Sequence, residues 1–167
     1  ALSEALISEF VAGAPDTVAV VLRCCPVIGP SADNFISGAF LKPFLVRVLG
    51  AAPPMQLIHE DDLTDILTMC ALGGASGLYN LAGDGDIRWS EMARTLGRRL
   101  LSLPAPLLYW ATEAAWRLRL QSDSPSAGLD FIRYPWTAGT DKIRRELGVE
   151  PCYTSREAWD AFAQRHA

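Results

Sequence analysis

The apolar stretch at residues 17–22 organises the first part of the chain and reads Thr-Val-Ala-Val-Val-Leu. Its apolar and β-branched residues do not alternate with polar ones, which is typical of a parallel strand that helices cover on both faces. Arg23 marks a charged strand end, and the prolines and glycine of residues 24–33 predict an irregular loop after it. Because ligands of open α/β sheets bind beyond the carboxyl ends of the strands, this loop is a candidate ligand site. An ordinary turn without a ligand is the alternative.

Helical spacing of apolar residues precedes and follows this strand. Leu2, Leu6, Ile7 and Phe10 share one face of a helix predicted over residues 1–12. Short strands are predicted at residues 55–59 and 77–82. Further helices are predicted over residues 35–49 with an interruption at Pro43, from 61 or 62 to about 72, and over 89–101, 104–120, 141–147 and 155–163. This alternation of helices with short buried strands predicts an α/β fold.

Two aspartates are candidates for capping the helix that follows residue 60. Asp61 or Asp62 can accept hydrogen bonds from the unpaired N–H groups of the first turn, and a carboxylate suits the helix dipole there. His59 is interpreted as ending a strand and bonding a backbone group. A metal or acid–base cluster of His59 with the following carboxylates is the alternative.

The helix predicted over residues 104–120 is apolar on nearly every face. It is too short to span a bilayer, and no other stretch reaches the length of a membrane span. A plain buried helix is the preferred interpretation. A hydrophobic lid or a helix covered by a partner are the alternatives.

Composition limits the function classes that the chain can serve. It has 167 residues, of which 50% are hydrophobic and 20% charged, so it can build one domain with a sizeable core and is too apolar for disorder. A net charge of −4 argues against a nucleic-acid-binding surface. The cysteines fit neither a zinc site nor a disulfide framework, which favours free thiols and a cytoplasmic location; they are Cys24, Cys25, Cys70 and Cys152.

Four sequence blocks carry a resemblance to a known family. Residues 22–30 are similar to the pattern Leu-Arg-Pro-x-Asn-Val-Tyr-Gly-Pro, and residues 57–63 to Phe-Val-His-Val-Asp-Asp-Val. Residues 77–83 are similar to Val-Tyr-Asn-Val-Gly-Gly, and residues 142–158 to a closing Leu-Gly-Trp-x-Pro with a terminal helix. In this order and spacing they resemble the C-terminal half of the extended short-chain dehydrogenases/reductases, the NAD(P)-dependent epimerase/dehydratase type. Residues 101–137 correspond to the variable substrate-side region of that family.

The resemblance implies part of a Rossmann-like parallel sheet with helices, plus a small, mainly helical substrate-side subdomain. Residues 1–167 would be a single partial domain, with 1–30 and 77–101 as sheet-forming core elements and 31–76 and 102–167 as substrate-side elements. The family's Gly-rich dinucleotide turn and its Tyr-x-x-x-Lys pair do not occur in this sequence. The first helix resembles the one that carries that Lys, and the sequence starts in helical rhythm without Met. We therefore expect a fragment that contains no catalytic residue and cannot perform hydride chemistry alone.

The resemblance also implies candidate binding residues. It places the nicotinamide end of NAD or NADP against the loop of Cys24, Cys25, Pro26 and Val27, mostly through backbone groups. The sequence departs from the family there, because Cys24 replaces Pro and Pro26 replaces Asn. No metal ligand is predicted. Substrate contacts are predicted for several further side chains, with plain core packing as the alternative for each: Phe35, His59, Trp110, Trp116, Arg133, Tyr134 and Trp136.

The expected substrate is a small molecule, apolar rather than a nucleotide sugar. Family members that act on such sugars usually place an Arg just before the second block, where Met55 and Gln56 stand here. Residues 101–120 are also unusually apolar. With the missing N-terminal dinucleotide-binding half as its partner, the chain would serve an oxidoreductase or epimerase acting on a hydroxyl or keto carbon. A non-catalytic relative that binds a ligand or partner is one alternative, and a complete chain that forms a homodimer is another.

Overall fold

The computed structural model describes residues 2–14, 17–74, 76–121 and 124–166. Its helices are α1 (Leu2–Ala12), α2 (Phe35–Phe40), α3 (Glu60–Gly73), α4 (Trp89–Thr95), α5 (Ala105–Arg117), α6 (Asp141–Leu147) and α7 (Ser155–His166), with a 3₁₀ helix η1 (Ser126–Ile132). Its strands are β1 (Val20–Cys24), β2 (Val27–Ile28), β3 (Phe44–Val48), β4 (Pro54–Met55), β5 (Ile58–His59), β6 (Gly77–Leu81), β7 (Ile87–Arg88) and β8 (Arg99–Leu103).

Parallel strand pairs define the sheet structure. β1 pairs with β6 from Val20 opposite Gly77 to Cys24 opposite Leu81. β2 pairs with β5 and β3 with β8, both in parallel, whereas β4 and β7 are antiparallel. Since parallel neighbours need a crossover connection, helices lie between them along the chain. The predicted α/β fold is therefore confirmed.

The first strand begins three residues later than predicted and is less buried. β1 contains Arg23 and Cys24, because its five-residue ladder with β6, rather than the apolar run itself, sets its ends. Its first three residues are half-buried, its last two are exposed, and Val18 before it is 59% exposed. Because no residue of β1 is fully buried, the prediction of a strand covered on both faces was wrong for the described part of the chain.

Two segments that were each predicted as one helix consist of a helix followed by a strand. The segment 35–49 is helical only to Phe40 and continues after Pro43 as β3; the segment 89–101 is helical only to Thr95 and continues as β8. The β-branched Val46 and Val48 favour a strand, and β3 and β8 satisfy each other's backbone groups along five residue pairs. Gly97 lies between helix and strand at φ +64°, a left-handed conformation that suits glycine.

Two predictions about the burial of helices also differ from the structure. α5 is not a buried helix: Leu108 is its buried residue, and Trp110 is 71% exposed. The helix packs on η1, and its residues Leu107, Trp110 and Trp116 are exposed. On α1 the expected apolar face is exposed at Leu6, Ile7 and Phe10, while the side chain of Leu2 lies outside the described part.

Two apolar clusters form the core. The larger one surrounds Trp159 and Phe40 and joins α2, α4 and α7 to β3 and β4. The smaller one contains Ile58, Tyr79 and Leu81 and packs α3 and α6 against the β1–β6 pair. Leu81 of β6 belongs to this second cluster and Leu22 of β1 packs against it, whereas Ile28, which follows the loop after β1, belongs to the first.

Replacing Gly83 with alanine is expected to lower the free energy of unfolding by about 2 kcal/mol. A Cβ at this position would lie 2.8 Å from the carbonyl oxygen of Tyr153 and 2.9 Å from that of Leu57, so backbone segments would have to separate. Equilibrium unfolding in urea measures the loss. Gly139→Ala is the matched control, because a Cβ at Gly139 meets nothing within 4 Å. Equal losses in the two variants would contradict the prediction.

Candidate functional site

A cavity of about 560 Å³ lies where β1 and β6 end. We call it the first cavity. Its size is within the range usual for small-molecule sites. Its walls are the end of β1 with the loop after it, the start of α2, one residue of β6 and a segment before α6, namely Arg23, Cys24, Cys25, Pro26, Val27, Asn34, Phe35, Ile36, Asn80, Trp136, Thr137 and Ala138.

Backbone hydrogen bonds hold the loop after β1 in place. The N–H of Cys25 donates to the carbonyl of Leu81 at 2.9 Å, which extends the β1–β6 pairing by one residue. The carbonyl of Pro26 accepts from the N–H of Ile58 at 3.0 Å. The loop is thus fixed to β5 and β6, and its side chains present a rigid wall to the cavity.

Asn34 forms the second wall and also starts α2. Its Oδ1 accepts hydrogen bonds from the N–H groups of Ile36 and Ser37, which caps the helix. Its Nδ2 donates to the carbonyl of Val27 at 2.8 Å. One side chain therefore positions both α2 and the loop, and the next residue, Phe35, stands at the cavity with 49% of its surface exposed.

The third wall is the segment from Trp136 to Ala138, which is bonded to Gln56. The N–H of Gln56 donates to the carbonyl of Trp136 at 2.8 Å, and the Gln56 Oε1 accepts from the N–H of Ala138 at 2.7 Å. Gln56 stands in the neighbourhood where the resemblance leads one to expect an arginine. Here the side chain is a structural anchor, so this position supplies no positive charge to a ligand.

The first cavity carries no uncompensated charge among its described lining residues. Arg23 is the one charged side chain in the set, and its guanidinium donates to both carboxylate oxygens of Glu4, at 2.6 and 2.7 Å. The hydrogen bond from Arg23 holds the pKa of Glu4 well below its usual range, at about 2. The pair also joins α1 to the end of β1. A neutral ligand suits such a cavity better than a phosphate.

The two loop thiols are not activated. Burial raises the pKa of Cys24, and burial together with the neighbouring Cys24 raises the pKa of Cys25 to about 11. Because only the thiolate is a strong nucleophile, both groups act as small apolar wall elements at neutral pH. The cysteines at positions 24, 25, 70 and 152 are all free.

A second cavity of about 460 Å³ adjoins the first. Phe35 and Ile36 line both, so the start of α2 forms a wall that the two cavities share. The second cavity lies between β3 and the α5–η1 pair. Most of its lining side chains are apolar, among them Phe44, Val46, Leu103, Leu108, Ala111, Leu129 and Phe131.

Other candidate residues from the sequence lie outside both cavities. His59 is 2% exposed, and its ring stacks on Tyr153 with 3.9 Å between centroids. Trp110 faces away from the cavities on α5. The guanidinium of Arg133 lies over the rings of Tyr109 and Tyr134, 5.5 and 5.2 Å from their centroids. Of the loop and substrate candidates, the first cavity brings together Cys24, Cys25, Pro26, Val27, Phe35 and Trp136.

Comparison with known proteins gives relatives without an assigned activity. No family model matches the chain. An uncharacterized protein of Mycobacterium tuberculosis is 29% identical over 149 residues, which cover 89% of this chain and 39% of that protein. A second uncharacterized protein of the same organism is 27% identical over 145 residues, covering 86% of this chain and 16% of that protein. The chain thus spans well under half the length of these relatives.

Solved structures settle the fold. An ADP-L-glycero-D-manno-heptose-6-epimerase from Helicobacter pylori matches with a TM-score of 0.65 at 14% identity, over 99% of this chain and 49% of that one. A dTDP-glucose 4,6-dehydratase from Streptomyces venezuelae, solved with NAD bound, matches with a TM-score of 0.62 at 15% identity. The match covers 96% of this chain and 47% of that one. The chain has the Rossmann-like fold of these epimerases and dehydratases. A Pseudomonas aeruginosa protein complexed with NADPH matches at a TM-score of 0.60 and 13% identity, over 98% of this chain and 52% of its own.

The first cavity can be tested as the nicotinamide end of an epimerase/dehydratase-type site. Its apolar walls and lack of net charge fit the uncharged ring of a reduced nicotinamide, which would lie against Cys24–Val27. The loop offers few free backbone groups, because the Cys25 N–H and the carbonyls of Pro26 and Val27 are bonded within the chain, and Pro26 has no N–H. Side-chain contacts would therefore dominate. The described lining offers nothing that would hold a pyrophosphate.

The sequence analysis missed several residues of this Rossmann-like site. Asn34 could have been found as a helix N-cap directly before Phe35, and Asn80 belongs to the third sequence block. The roles of Thr137 and Ala138 depend on their hydrogen-bonded attachment to the β4–β5 connection, which no local pattern encodes.

The aspartates after His59 do something other than predicted. The N-cap of α3 is His59, whose Nδ1 accepts from the N–H of Asp61 at 3.2 Å; the expected Asp cap was wrong. Asp62 instead accepts from the N–H groups of Cys152 and Tyr153. In the described ranges, no three His, Cys, Asp or Glu residues are grouped as metal ligands would be, and no helix has the length and hydrophobicity of a membrane span.

Proposed function

We propose that this chain is the substrate-side portion of an NAD(P)-dependent oxidoreductase or epimerase-like protein that acts on a hydroxyl or keto carbon. The observation that carries the proposal is the first cavity, which lies at the carboxyl ends of the parallel strands β1 and β6. Ligands of this fold class bind at that edge of the sheet. Cys24, Cys25, Pro26 and Val27 would lie against the nicotinamide, and Phe35 against the substrate.

The remaining machinery is proposed to lie in another part of the same polypeptide. The chain spans 39% of the length of its curated relative and 49% of the heptose epimerase structure. In the described ranges β1 and β6 pair only with each other, so further parallel strands could extend this pair. A Gly-rich dinucleotide turn and a Tyr-x-x-x-Lys pair are the elements that we expect there.

The residues of this chain would bind and orient rather than react. A bound nicotinamide supplies hydride transfer to or from carbon. The loop wall, which hydrogen bonds to Ile58 and Leu81 keep rigid, would fix the plane of the ring. Asn34 would hold this wall at a constant distance from Phe35. The apolar lining would exclude water from the reacting carbon, which strengthens electrostatic interactions there.

Binding of NADH and NADPH to the full-length polypeptide tests this function. We expect one of the two to stabilise the protein by about 2.7 kcal/mol at a concentration of 100 Kd, measured as a rise in melting temperature. Val27→Trp, which fills the first cavity, is expected to weaken that binding at least tenfold. Val18→Trp is the matched control, because Val18 is exposed and outside the cavity. A protein that binds neither nucleotide would disprove the proposal.

A second candidate is a non-catalytic relative that binds a small ligand without turnover. Its support is Pro26, which stands where the resemblance predicts an asparagine and leaves the loop without that amide. The two functions differ in one measurement. Nucleotide oxidation or reduction by the full-length protein with a ketone or alcohol would exclude the non-catalytic candidate, whereas binding with no turnover would support it.

A further inference from the structure

The two cavities share part of one wall, the first cavity being neutral and the second mostly apolar. Phe35 and Ile36 belong to the walls of both. The first cavity reaches the loop after β1, and the second extends from α2 between β3 and α5. A ligand that passes Phe35 would therefore have one end at the loop and the other under α5.

Charge limits what the second cavity can accept. Lys42 is the only charged residue among its described lining residues, and it is exposed two residues after the end of α2. The same described lining contains no arginine. Tight binding of a diphosphate relies on bidentate arginine or several converging donors. The polar residues Gln121 and Ser124 bond each other, with the Gln121 amide donating to the Ser124 carbonyl at 2.7 Å.

Apolar surface dominates the remaining lining. Branched and aromatic side chains from β3, β8, α5 and η1 meet there, including Val46, Leu103, Leu108, Leu129 and Phe131. Two small residues of α5, Ala111 and Ala115, face the same space and leave room for a ligand. Such a lining favours a ligand segment made of carbon and hydrogen, because each buried methylene group adds binding free energy.

We propose that the substrate is an uncharged amphipathic molecule, an alcohol or ketone with a long aliphatic tail. Its oxygen-bearing carbon lies in the first cavity beside the loop of Cys24–Val27, and its tail passes Phe35 into the second cavity. The assignment of the reacting end rests on the proposed function. The assignment of the tail rests only on the second cavity and its lining.

A homologous series of 2-alkanones tests the tail assignment. The full-length polypeptide is loaded with the neutral fluorescent probe N-phenyl-1-naphthylamine, and ketones from 2-pentanone to 2-tridecanone displace it. Affinity is expected to rise about fourfold for each added methylene until the tail fills the second cavity. The nucleotide sugar UDP-glucose is expected not to compete. Affinity that is independent of chain length, or displacement by UDP-glucose, would overturn the proposal.

Two variants of α5 locate the tail. Ala111→Phe fills the second cavity, whereas Ala114→Phe adds the same bulk at a residue that lines neither cavity. The first is expected to weaken binding of 2-tridecanone at least tenfold and of 2-pentanone less than twofold, and the second to change neither. Equal effects of the two variants would count against the site. If Ala111→Phe does not fold, the chain-length series with the parent protein still decides.

The nucleotide-binding and ketone-binding experiments test the proposed function and the tail site separately. The protein could bind ketones with the expected chain-length dependence and yet have no affinity for NADH or NADPH. That result would support the tail site and disprove the proposed function. A protein that binds the nucleotide but shows no chain-length dependence would keep the function and overturn the substrate class.

Discussion

Replacing Trp159 with alanine is expected to lower the free energy of unfolding by about 4 kcal/mol. The side chain is fully buried in the larger core cluster, with ring centroids 4.6 Å from Phe40 and 5.2 Å from Phe162. Its Nε1 donates to Thr95 Oγ1 at 2.6 Å, so the substitution leaves a void and removes this hydrogen bond, while the Thr95 hydroxyl keeps its bond to the Met92 carbonyl. Equilibrium unfolding in urea measures the loss.

Trp110→Ala is the matched control for this prediction. The residue is 71% exposed, and its removal is expected to change the free energy of unfolding by about 0.5 kcal/mol or less. Thr95→Val separates packing from hydrogen bonding, because it keeps the Trp159 ring and removes both hydrogen bonds of the Thr95 hydroxyl, from Trp159 Nε1 and to the Met92 carbonyl. We expect Thr95→Val to lower the free energy of unfolding by about 1 kcal/mol. A loss in Trp159→Ala no larger than in Trp110→Ala would contradict the packing described.

The same substitution reaches the candidate site through α2. Phe40 contacts both Trp159 and Trp89, and its helix carries Phe35 and Ile36 to the shared wall of the two cavities. Loss of the Trp159 ring removes the support behind Phe40. We therefore expect Trp159→Ala to weaken ketone binding even at temperatures at which the variant is still folded.

Parallel strand pairing was predictable where a short apolar run is bounded by turn residues. Residues 77–82 satisfied both conditions, and β6 forms there. β3 and β8 were not predictable in the same way. Phe44–Val48 continues the apolar spacing of α2, so the sequence alone is compatible with one long helix. The pairing with Arg99–Leu103, more than fifty residues away, selects the strand.

The candidate site shows the same limit. The loop after β1 followed from a general rule about strand ends, and the structure places Cys24–Val27 at a cavity. Thr137 and Ala138 lie at that cavity in a segment that hydrogen-bonds to Pro54 and Gln56, about eighty residues earlier in the sequence. Asp62 had the position of a helix cap, yet His59 takes that role through a side-chain nitrogen. Local sequence propensity therefore identifies candidate residues, and tertiary hydrogen bonds determine which of them form the site.

Asp62→Ala is expected to lower the free energy of unfolding by about 3 kcal/mol, since it removes two hydrogen bonds that a buried carboxylate accepts from backbone N–H groups. Asp62 is 4% exposed; its Oδ1 accepts from Cys152 at 2.8 Å and its Oδ2 from Tyr153 at 3.0 Å. Asp62→Asn keeps one acceptor oxygen and is expected to lose about half as much. Asp65→Ala, on the exposed side of α3, is the control and should lose about 0.5 kcal/mol or less.

The effect of Asp62→Ala should extend from the C-terminal segment to the first cavity. Tyr153 stacks on His59, and the preceding residue, Ile58, donates to the carbonyl of Pro26 in the loop wall. Amide hydrogen exchange at Tyr153 and Ile58 measures this connection, and both amides should exchange faster in the variant. Faster exchange at Tyr153 with no change at Ile58 would mean that Asp62 holds only the C-terminal segment. If the amides of Tyr153 and Ile58 both exchange faster, Asp62 is a residue that positions the site without contacting a ligand, because Ile58 fixes the loop.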